Sequence, residues 1–217
     1  TPFRKAHKKS LEVGASQDNE WTAVVDADCL VRAGSLTDAL EETGKVSDDT
    51  FFVHTKMLDK FFGGTRYGGV KLYRTSMLPQ LISCVPEGAN VKRPETETNK
   101  AMVKLGYKWH LSNHVCCMHD FEQYYSDILR KGYTHGKKST EFTETLLPYW
   151  KRAAESDNDF RVLLAGYDLA GQNEQPLTLD VVEVSDKVSV VLAKLGITEK
   201  GKLLITNFST QTISDYL

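Results

Sequence analysis

The sequence lacks several features that mark particular classes of protein. No apolar run approaches the roughly 18 residues needed to span a bilayer, and no apolar stretch of a signal peptide follows the basic RKAHKK near the N-terminus. Neither sign of charge dominates, because 27 Lys+Arg stand against 29 Asp+Glu and the net charge is −2. This near balance gives no support for nucleic acid as a bulk electrostatic partner. Internal repeats and low-complexity segments are also absent.

Cysteine is scarce and is poorly spaced for a zinc site or a disulfide framework. Cys29, Cys84, Cys116 and Cys117 form no Cys-x-x-Cys pair, and the adjacent Cys116 and Cys117 suit neither use well. We interpret all four as reduced, mostly buried thiols, which favours a cytoplasmic protein.

A chain of 217 residues can bury a sizeable core as one domain, or as one domain plus a helical tail. Apolar runs rich in β-formers alternate with amphipathic helical patterns through residue 131, which predicts an α/β sheet. Beyond residue 140 the pattern is helical, with helices predicted near 140–153, 157–170 and 178–195. We therefore expect an α/β core over residues 1–139 and a helical C-terminal extension over 140–217 that packs on the core.

Local signals define the ends of several elements. Ser35 and Asp38 resemble a capping box that opens a short helix running to Glu42. Asp120 with Gln123 is predicted to cap a second helix, which runs to residue 131 and ends at Gly132. The other helices are predicted at 3–14, 75–83 and 95–105, and the strands at 21–25, 51–55, 57–62, 70–73 and 107–111.

Two aspartates directly follow the predicted strand 21–25. Asp26 and Asp28 form an Asp-x-Asp at the carboxyl end of this strand, where open α/β sheets bind their ligands. Such hard oxygen ligands suit Mg²⁺ or Mn²⁺, ions that also bind substrate phosphates. The alternative is a simple turn, because Asp after a strand often bonds its own backbone.

Four glycines lie within the seven residues 63–69, which predicts a loop able to bring backbone close to a ligand. A hairpin with a bulge is the alternative. Because the segment lies between the Asp pair and the helix that begins near residue 95, we favour a substrate-binding role for Gly68 and Gly69. Arg66, Lys71 and Arg74 could meet a phosphate, although lone cations on strands are more often solvated.

The motifs together, in their order along the chain, resemble those of GT-A-type glycosyltransferases, especially the inverting, family-two-like group. The matching segments are Asp26-Ala27-Asp28, then GGVKLYR, then PETETNKAMVKLGYKW, then His119. The resemblance covers roughly residues 3–131. It implies an open, mixed GT-A-like sheet flanked by helices.

The resemblance also implies a metal site. Asp28 would coordinate a divalent ion that bridges the diphosphate of a sugar nucleotide, and Asp26 would bind through water or contact the ribose. His119 would be the third ligand, and its nitrogen favours Mn²⁺ over Mg²⁺. His114 is a rival for this last role.

For the chemistry, the resemblance places the general base at Glu95 and a second, orienting acid at Glu97. The alternative for both is capping, since acids are favourable at a helix N-terminus. Arg74 is assigned to substrate binding, and Trp109 is the best candidate for stacking on an acceptor, although a tryptophan is more often part of a core.

The function implied is metal-dependent transfer of a hexose-like sugar, with inversion, from a UDP- or GDP-linked donor to a glycan, lipid or protein acceptor. A non-catalytic relative and a nucleotidyltransferase-type enzyme are the alternatives.

The family normally begins with a strand-helix-strand unit, whereas only 25 residues precede Asp26. We therefore expect strand 21–25 to leave an open edge that another chain or segment covers. For residues 140–217, three roles are open: covering the acceptor site, docking to a membrane surface, or forming a homo-oligomer.

Overall fold

The computed structural model describes residues 3–88, 91, 93–121, 123–138, 141–171 and 184–201. The described residues form two compact units. The sheet unit comprises residues 3–60 and 64–120, and the helical unit comprises 61–63 and the described residues from 121 onward. Every residue that the sequence predicts to act in catalysis or binding lies in the sheet unit.

The sheet unit alternates helices with strands, as the sequence pattern predicts. Its elements are α1 (Phe3–Ala15), β1 (Trp21–Val25), β2 (Cys29–Val31), α2 (Ser35–Thr43), β3 (Thr50–Asp59), β4 (Gly64–Arg74), α3 (Leu78–Ser83), α4 (Pro94–Lys104) and β5 (Lys108–His119). Strand β5 is much longer than the predicted 107–111, and it contains both His114 and His119.

The five strands form one mixed sheet in the order β1-β4-β3-β5-β2. Only β3 and β5 are parallel; the other neighbours are antiparallel. The prediction of a mixed α/β sheet flanked by helices is confirmed. Among the described residues, β1 pairs with β4 alone, and a groove of about 490 Å³ runs along β1 and one side of α1.

The sheet curls strongly, because its two edge strands are joined by only three residues. Four strand spacings would separate β1 from β2 by about 19 Å in a flat sheet. The four residue steps from Val25 to Cys29 span at most about 14 Å. The curl brings Gly69 of β4 against Cys117 of β5, although these strands are not neighbours in the sheet. The Asp-x-Asp turn therefore joins the two edges of the curled sheet.

The prediction of a loop at 63–69 is wrong, since β4 continues unbroken through this segment from Gly64. The bulge, which was the alternative, fits the structure. His54 of β3 pairs with Lys71 and Lys56 pairs with Tyr67, so β4 contains extra residues between these two pairs. Gly69 lies in this irregular stretch with a φ of 78°, which favours glycine.

Apolar side chains cover both faces of the sheet. One buried cluster joins α1, α3 and α4 to the sheet and includes Leu11, Phe52, Tyr73, Leu78 and Met102. The other joins α2 to the opposite face and includes Ala39, Val53, Leu72 and Cys116. All four cysteines are free thiols, and Cys116 and Cys117 are fully buried.

The predicted capping box of α2 is wrong, although the helix itself is confirmed. The N-cap is Gly34, and it makes no side-chain cap bond. The Ser35 hydroxyl donates instead to the carbonyl oxygens of Arg32 and Cys116, at 2.7 and 2.8 Å. Asp38 accepts from the Arg32 guanidinium at 2.9 Å. Both polar side chains therefore hold α2 to the chain around it.

The helical unit contains α5 (Tyr125–Lys138), α6 (Glu141–Ala153), α7 (Asn158–Gly171) and α8 (Val188–Leu195). Residues 178–183 of the third predicted helix lie outside the described residues. In the part of the chain that the structure describes, no helix has the length and apolarity needed to cross a bilayer.

Two sequence predictions about α5 are wrong. Gly132 does not end the helix; a Cβ there would lie less than 3.0 Å from the carbonyl oxygen of Leu163, so glycine permits close packing of α5 on α7. Asp120 and Gln123 do not cap it either. Glu199 accepts from the backbone N–H groups of Tyr125 and Ser126, at 2.7 and 3.1 Å.

Candidate active site

Three potential metal ligands meet at the end of β5. One ligand atom from each of Asp28, His119 and Asp120 lies within 4.8 Å of the others. His119 Nε2 lies 3.3 Å from Asp28 Oδ2, and His119 Nδ1 lies 3.0 Å from Asp120 Oδ2. The Asp28 side chain is about half exposed, whereas Asp120 is buried. The group therefore offers one nitrogen and two carboxylates, and of these the Asp28 carboxylate is the one most open to solvent.

The sheet register assembles this group. Cys29 of β2 pairs with His119 of β5, which sets Asp28 beside the histidine. Asp120 follows β5 with a φ of 62°, a left-handed conformation that Asp tolerates better than most residues. This turn keeps the Asp120 carboxylate close to the His119 ring. Asp120, which the sequence assigned to a helix cap, thus belongs to the candidate metal site.

Asp59 supports His119 from beneath. It lies opposite His119 in the β3–β5 ladder and is fully buried. Its Oδ2 lies 3.0 Å from His119 Nδ1 and accepts from Arg66 Nε at 2.6 Å. Burial raises the pKa of Asp59, but His119 and Arg66 outweigh it and hold the pKa below its usual range. His119 Nδ1 therefore faces the carboxylates of Asp59 and Asp120, while Nε2 faces Asp28, and an ionised Asp59 helps to orient the ring.

Asp26 does not join the group of Asp28, His119 and Asp120. Its carboxylate accepts from the ammonium of Lys71 at 3.0 Å, and the same ammonium lies 3.0 Å from Glu95 Oε1. The Tyr73 hydroxyl donates to Glu95 at 3.3 Å. The two carboxylates that the sequence assigned to the donor and to the base are therefore linked through Lys71.

The charge state of Glu95 follows from its neighbours. Burial raises the pKa of Glu95, but the attraction of Lys71 and its hydrogen bond outweigh burial and lower the pKa below its usual range. Glu95 is therefore ionised at neutral pH and able to accept a proton. For Lys71 itself, burial opposes the charge but Glu95 and Asp26 raise its pKa, so it remains an ammonium.

Two neutral histidines lie in the same electrostatic environment. Burial lowers the pKa of His7, and it lowers the pKa of His54 to about 4. Within the described residues, neither Nε2 atom has a hydrogen-bond partner. The His54 ring packs instead between Phe52 and Tyr67, at centroid distances of 4.9 and 5.5 Å. These two imidazoles are polar but uncharged neighbours of Lys71 and Glu95.

The remaining predicted site residues lie apart from these clusters. Glu97 is about half exposed and pairs with Lys100 on its own helix at 2.8 Å. Arg74 lies at the opposite end of the β1–β4 ladder from Asp26, where it donates to Thr50 O at 3.1 Å and stacks on a tryptophan ring.

Trp109 is 45% exposed on β5, and Gly68 lies beside Gly69 in the irregular part of β4. His114, the rival for the metal, contacts Glu42 at 3.4 Å. A Cβ on Gly68 would approach the Met57 side chain closer than real Cβ atoms do. Positive φ values of 151° and 78°, together with the crowding by Met57 and Cys117, therefore account for Gly68 and Gly69 without a ligand.

Sequence reasoning missed three residues of the site. Asp59 and Asp120 escaped because no local motif connects them to Asp28; only the strand register does. The sequence groups Lys71 with Arg66 and Arg74 as strand cations that could meet a phosphate, yet Lys71 lies on the same face of β4 as Tyr73. The spacing of two residues between Lys71 and Tyr73 was the sequence signal that both side chains lie on one face of the strand.

Comparison of the chain with protein-family models, with curated proteins and with solved structures found no match.

Proposed function

We propose that this chain is a metal-dependent glycosyltransferase of the GT-A type, which moves a sugar from a nucleotide-diphosphate sugar to an acceptor hydroxyl. The observation that carries the proposal is the group of Asp28, His119 and Asp120, with ligand atoms within 4.8 Å of one another. Asp28 of this group belongs to the Asp-x-Asp turn, and the ionised Glu95 is linked to the same turn through Lys71 and Asp26. A mixed α/β sheet with acids gathered at this turn suits such an enzyme.

The donor set fits a divalent transition ion. Two carboxylates and an imidazole favour Mn²⁺ over Mg²⁺, because Mg²⁺ prefers oxygen ligands alone. When bound, such an ion would supply counter-charge for the departing nucleoside diphosphate. The half-exposed Asp28 is the ligand that a donor would reach first, while buried Asp59 keeps His119 oriented.

Glu95 is the candidate general base. It lies at the N-terminal end of α4, and its lowered pKa keeps it ionised. It would take the proton from the acceptor hydroxyl, which supports inversion at the transferred sugar. A positioned base of this kind contributes roughly 10² to 10⁴ in rate. The partners we propose are a UDP- or GDP-linked sugar and a glycan, lipid or protein acceptor.

One observation favours a second candidate, a binding protein that keeps the site without the chemistry. Glu95 pairs with Lys71 at 3.0 Å, and a base engaged in a salt bridge is a weaker proton acceptor. A protein of this kind would bind the nucleotide sugar but would not release nucleoside diphosphate from it.

The test is calorimetric titration with UDP and a panel of UDP- and GDP-sugars, with and without Mn²⁺. We expect Mn²⁺-dependent binding to the wild type that is lost in Asp28→Asn. Asp48→Asn, the same change at an exposed aspartate of the sheet unit, is the matched control and should bind normally. Absence of binding to every nucleotide would overturn the proposal.

Product analysis separates the alternatives that remain. Release of nucleoside diphosphate in the presence of an acceptor supports glycosyl transfer. Release of pyrophosphate would identify a nucleotidyltransferase-type reaction, and binding without release would identify the non-catalytic protein.

A further inference from the structure

Lys71 is surrounded by carboxylate oxygens in the way that a bound cation is. Its side chain is only 9% exposed. Its Nζ lies 3.0 and 3.3 Å from the two carboxylate oxygens of Asp26, and 3.0 and 3.3 Å from those of Glu95. Four oxygens from two acids therefore face one positive charge.

This arrangement resembles the oxygen set that proteins offer to hard divalent ions. We propose that Lys71 is a built-in cation that occupies a second cation position, between Asp26 and Glu95. As a result, the site takes a single divalent ion, at Asp28, His119 and Asp120. The inference rests on the metal centre of the proposed function, and it makes Lys71 a positioning residue for Glu95.

The connectivity of the fold gives the reason for such a residue. Asp26 precedes β2 and Glu95 lies in the first turn of α4, so the two carboxylates come from distant parts of the chain. Without a cation between them they would repel each other, because both are partly withdrawn from solvent. Lys71 fixes their separation from the rigid middle of β4, where Val24 of β1 and His54 of β3 flank it.

A single-ion site has chemical consequences. Two-metal enzymes place their ions about 3.5–4 Å apart to stabilise both the attacking and the leaving oxygen. A fixed ammonium at the second position supplies charge but has no coordination site for a water or a substrate oxygen. The arrangement therefore favours charge neutralisation at one diphosphate over two-metal displacement at phosphorus.

The experiment counts Mn²⁺ ions per chain by calorimetry and by electron paramagnetic resonance, without any nucleotide. We expect one ion for the wild type and two for Lys71→Met, since the substitution empties the position between the acids. Lys71→Arg should keep one ion because it retains the charge. Lys71→Met combined with Glu95→Gln should return to one, because the second ion loses half of its ligands.

Lys100→Met, on the helix that carries Glu95, is the matched control for Lys71→Met. Lys100 pairs with Glu97 at 2.8 Å but is 58% exposed, so its removal leaves an acid that water solvates. This variant should keep one ion. Two ions on the wild type, or an unchanged count in Lys71→Met, would overturn the proposal.

Two further outcomes are informative. If the wild type binds no ion but Lys71→Met binds one, the metal centre of the proposed function fails while the role of Lys71 stands. If Lys71→Met is too unstable for counting, its thermal unfolding is followed against Mn²⁺ concentration. A Mn²⁺-dependent rise in Tm larger than that of the wild type supports the proposal, by mass action on the folded state. No rise, or failure to fold even with Mn²⁺, contradicts it.

Discussion

Gly69 and Gly34 have the same backbone φ of 78° but different surroundings. A Cβ on Gly34 would meet no atom within 4 Å. A Cβ on Gly69 would lie less than 3.0 Å from Cys117 Sγ, closer than real Cβ atoms approach. Replacing each glycine by alanine therefore separates the cost of the backbone conformation from the cost of crowding inside the curled sheet.

The two costs differ in size. A non-glycine residue in the left-handed region costs about 1–2 kcal/mol, so Gly34→Ala should lower the free energy of unfolding by this amount. Forcing an additional carbon into a packed interior costs about 1–3 kcal/mol more. Gly69→Ala should therefore destabilise the protein by about 2–5 kcal/mol. Both effects are measurable by urea denaturation.

A double variant tests whether Cys117 is the cause. Cys117→Ala removes the sulfur atom that a Cβ on Gly69 would meet. In a double-mutant cycle, the two substitutions together should cost less than their sum by at least about 0.5 kcal/mol. Equal destabilisation by Gly34→Ala and Gly69→Ala, or strict additivity with Cys117→Ala, would refute the argument that the curl of the sheet requires glycine here.

Two further predictions concern acids that hydrogen-bond to histidines. Asp59→Asn should weaken Mn²⁺ binding by about 10- to 100-fold, because it removes the carboxylate that orients His119; Asp49→Asn, at an exposed ion pair, should have no effect in the same titration. Burial raises the pKa of Glu42, but hydrogen bonds from Ser112 and His110 outweigh burial and lower the pKa below its usual range. The ionised Glu42 therefore stabilises the fold above the unfolded-state pKa. This stabilisation is lost as the pH falls through the folded-state pKa. Wild type should therefore be more stable than Glu42→Gln at pH 7, with the difference in the free energy of unfolding disappearing in acid; a constant difference, or the same behaviour in exposed Glu41→Gln, would contradict this.

The elements that local signals define were predictable. Strand 21–25 and its Asp pair were found from one apolar run, and the helix predicted at 95–105 lies within one residue of the observed α4, Pro94–Lys104. Hydrophobic period and helix-end chemistry act over a few residues, so they can be recognised in the sequence. The order and type of the main elements follow from them.

The glycines were misinterpreted for a physical reason. A glycine indicates either conformational freedom or lack of room for a side chain, and the sequence does not distinguish the two. Gly69, within a paired strand, has both a positive φ and no room for a side chain. Gly132, inside a helix, only lacks the room. Each had been assigned to the end of regular structure, because the partner atoms that need the space come from distant parts of the chain.

The Asp-x-Asp motif shows how far a local motif can predict a site. Its two carboxylates are separated by one residue, and the sequence assigned both to one metal ion. In the fold, Asp26 still belongs to the edge defined by β1, where its backbone N–H donates to Gly69 O and its carboxylate meets Lys71. Asp28 already belongs to the opposite edge, beside His119.

The division of the motif follows from the curl of the sheet, since a turn of three residues joins strands from opposite edges only when those edges approach each other. The two acids therefore contact different cations: a lysine fixed in the fold and, in the proposed function, an exchangeable ion. Substitution of Asp28 should change metal affinity directly, whereas substitution of Asp26 should act through Lys71 and Glu95. The one-residue spacing of the motif thus places the Lys71–Glu95 pair near the group formed by His119 and Asp120. The register of β2 on β5 determines that Asp28, and not Asp26, contacts His119.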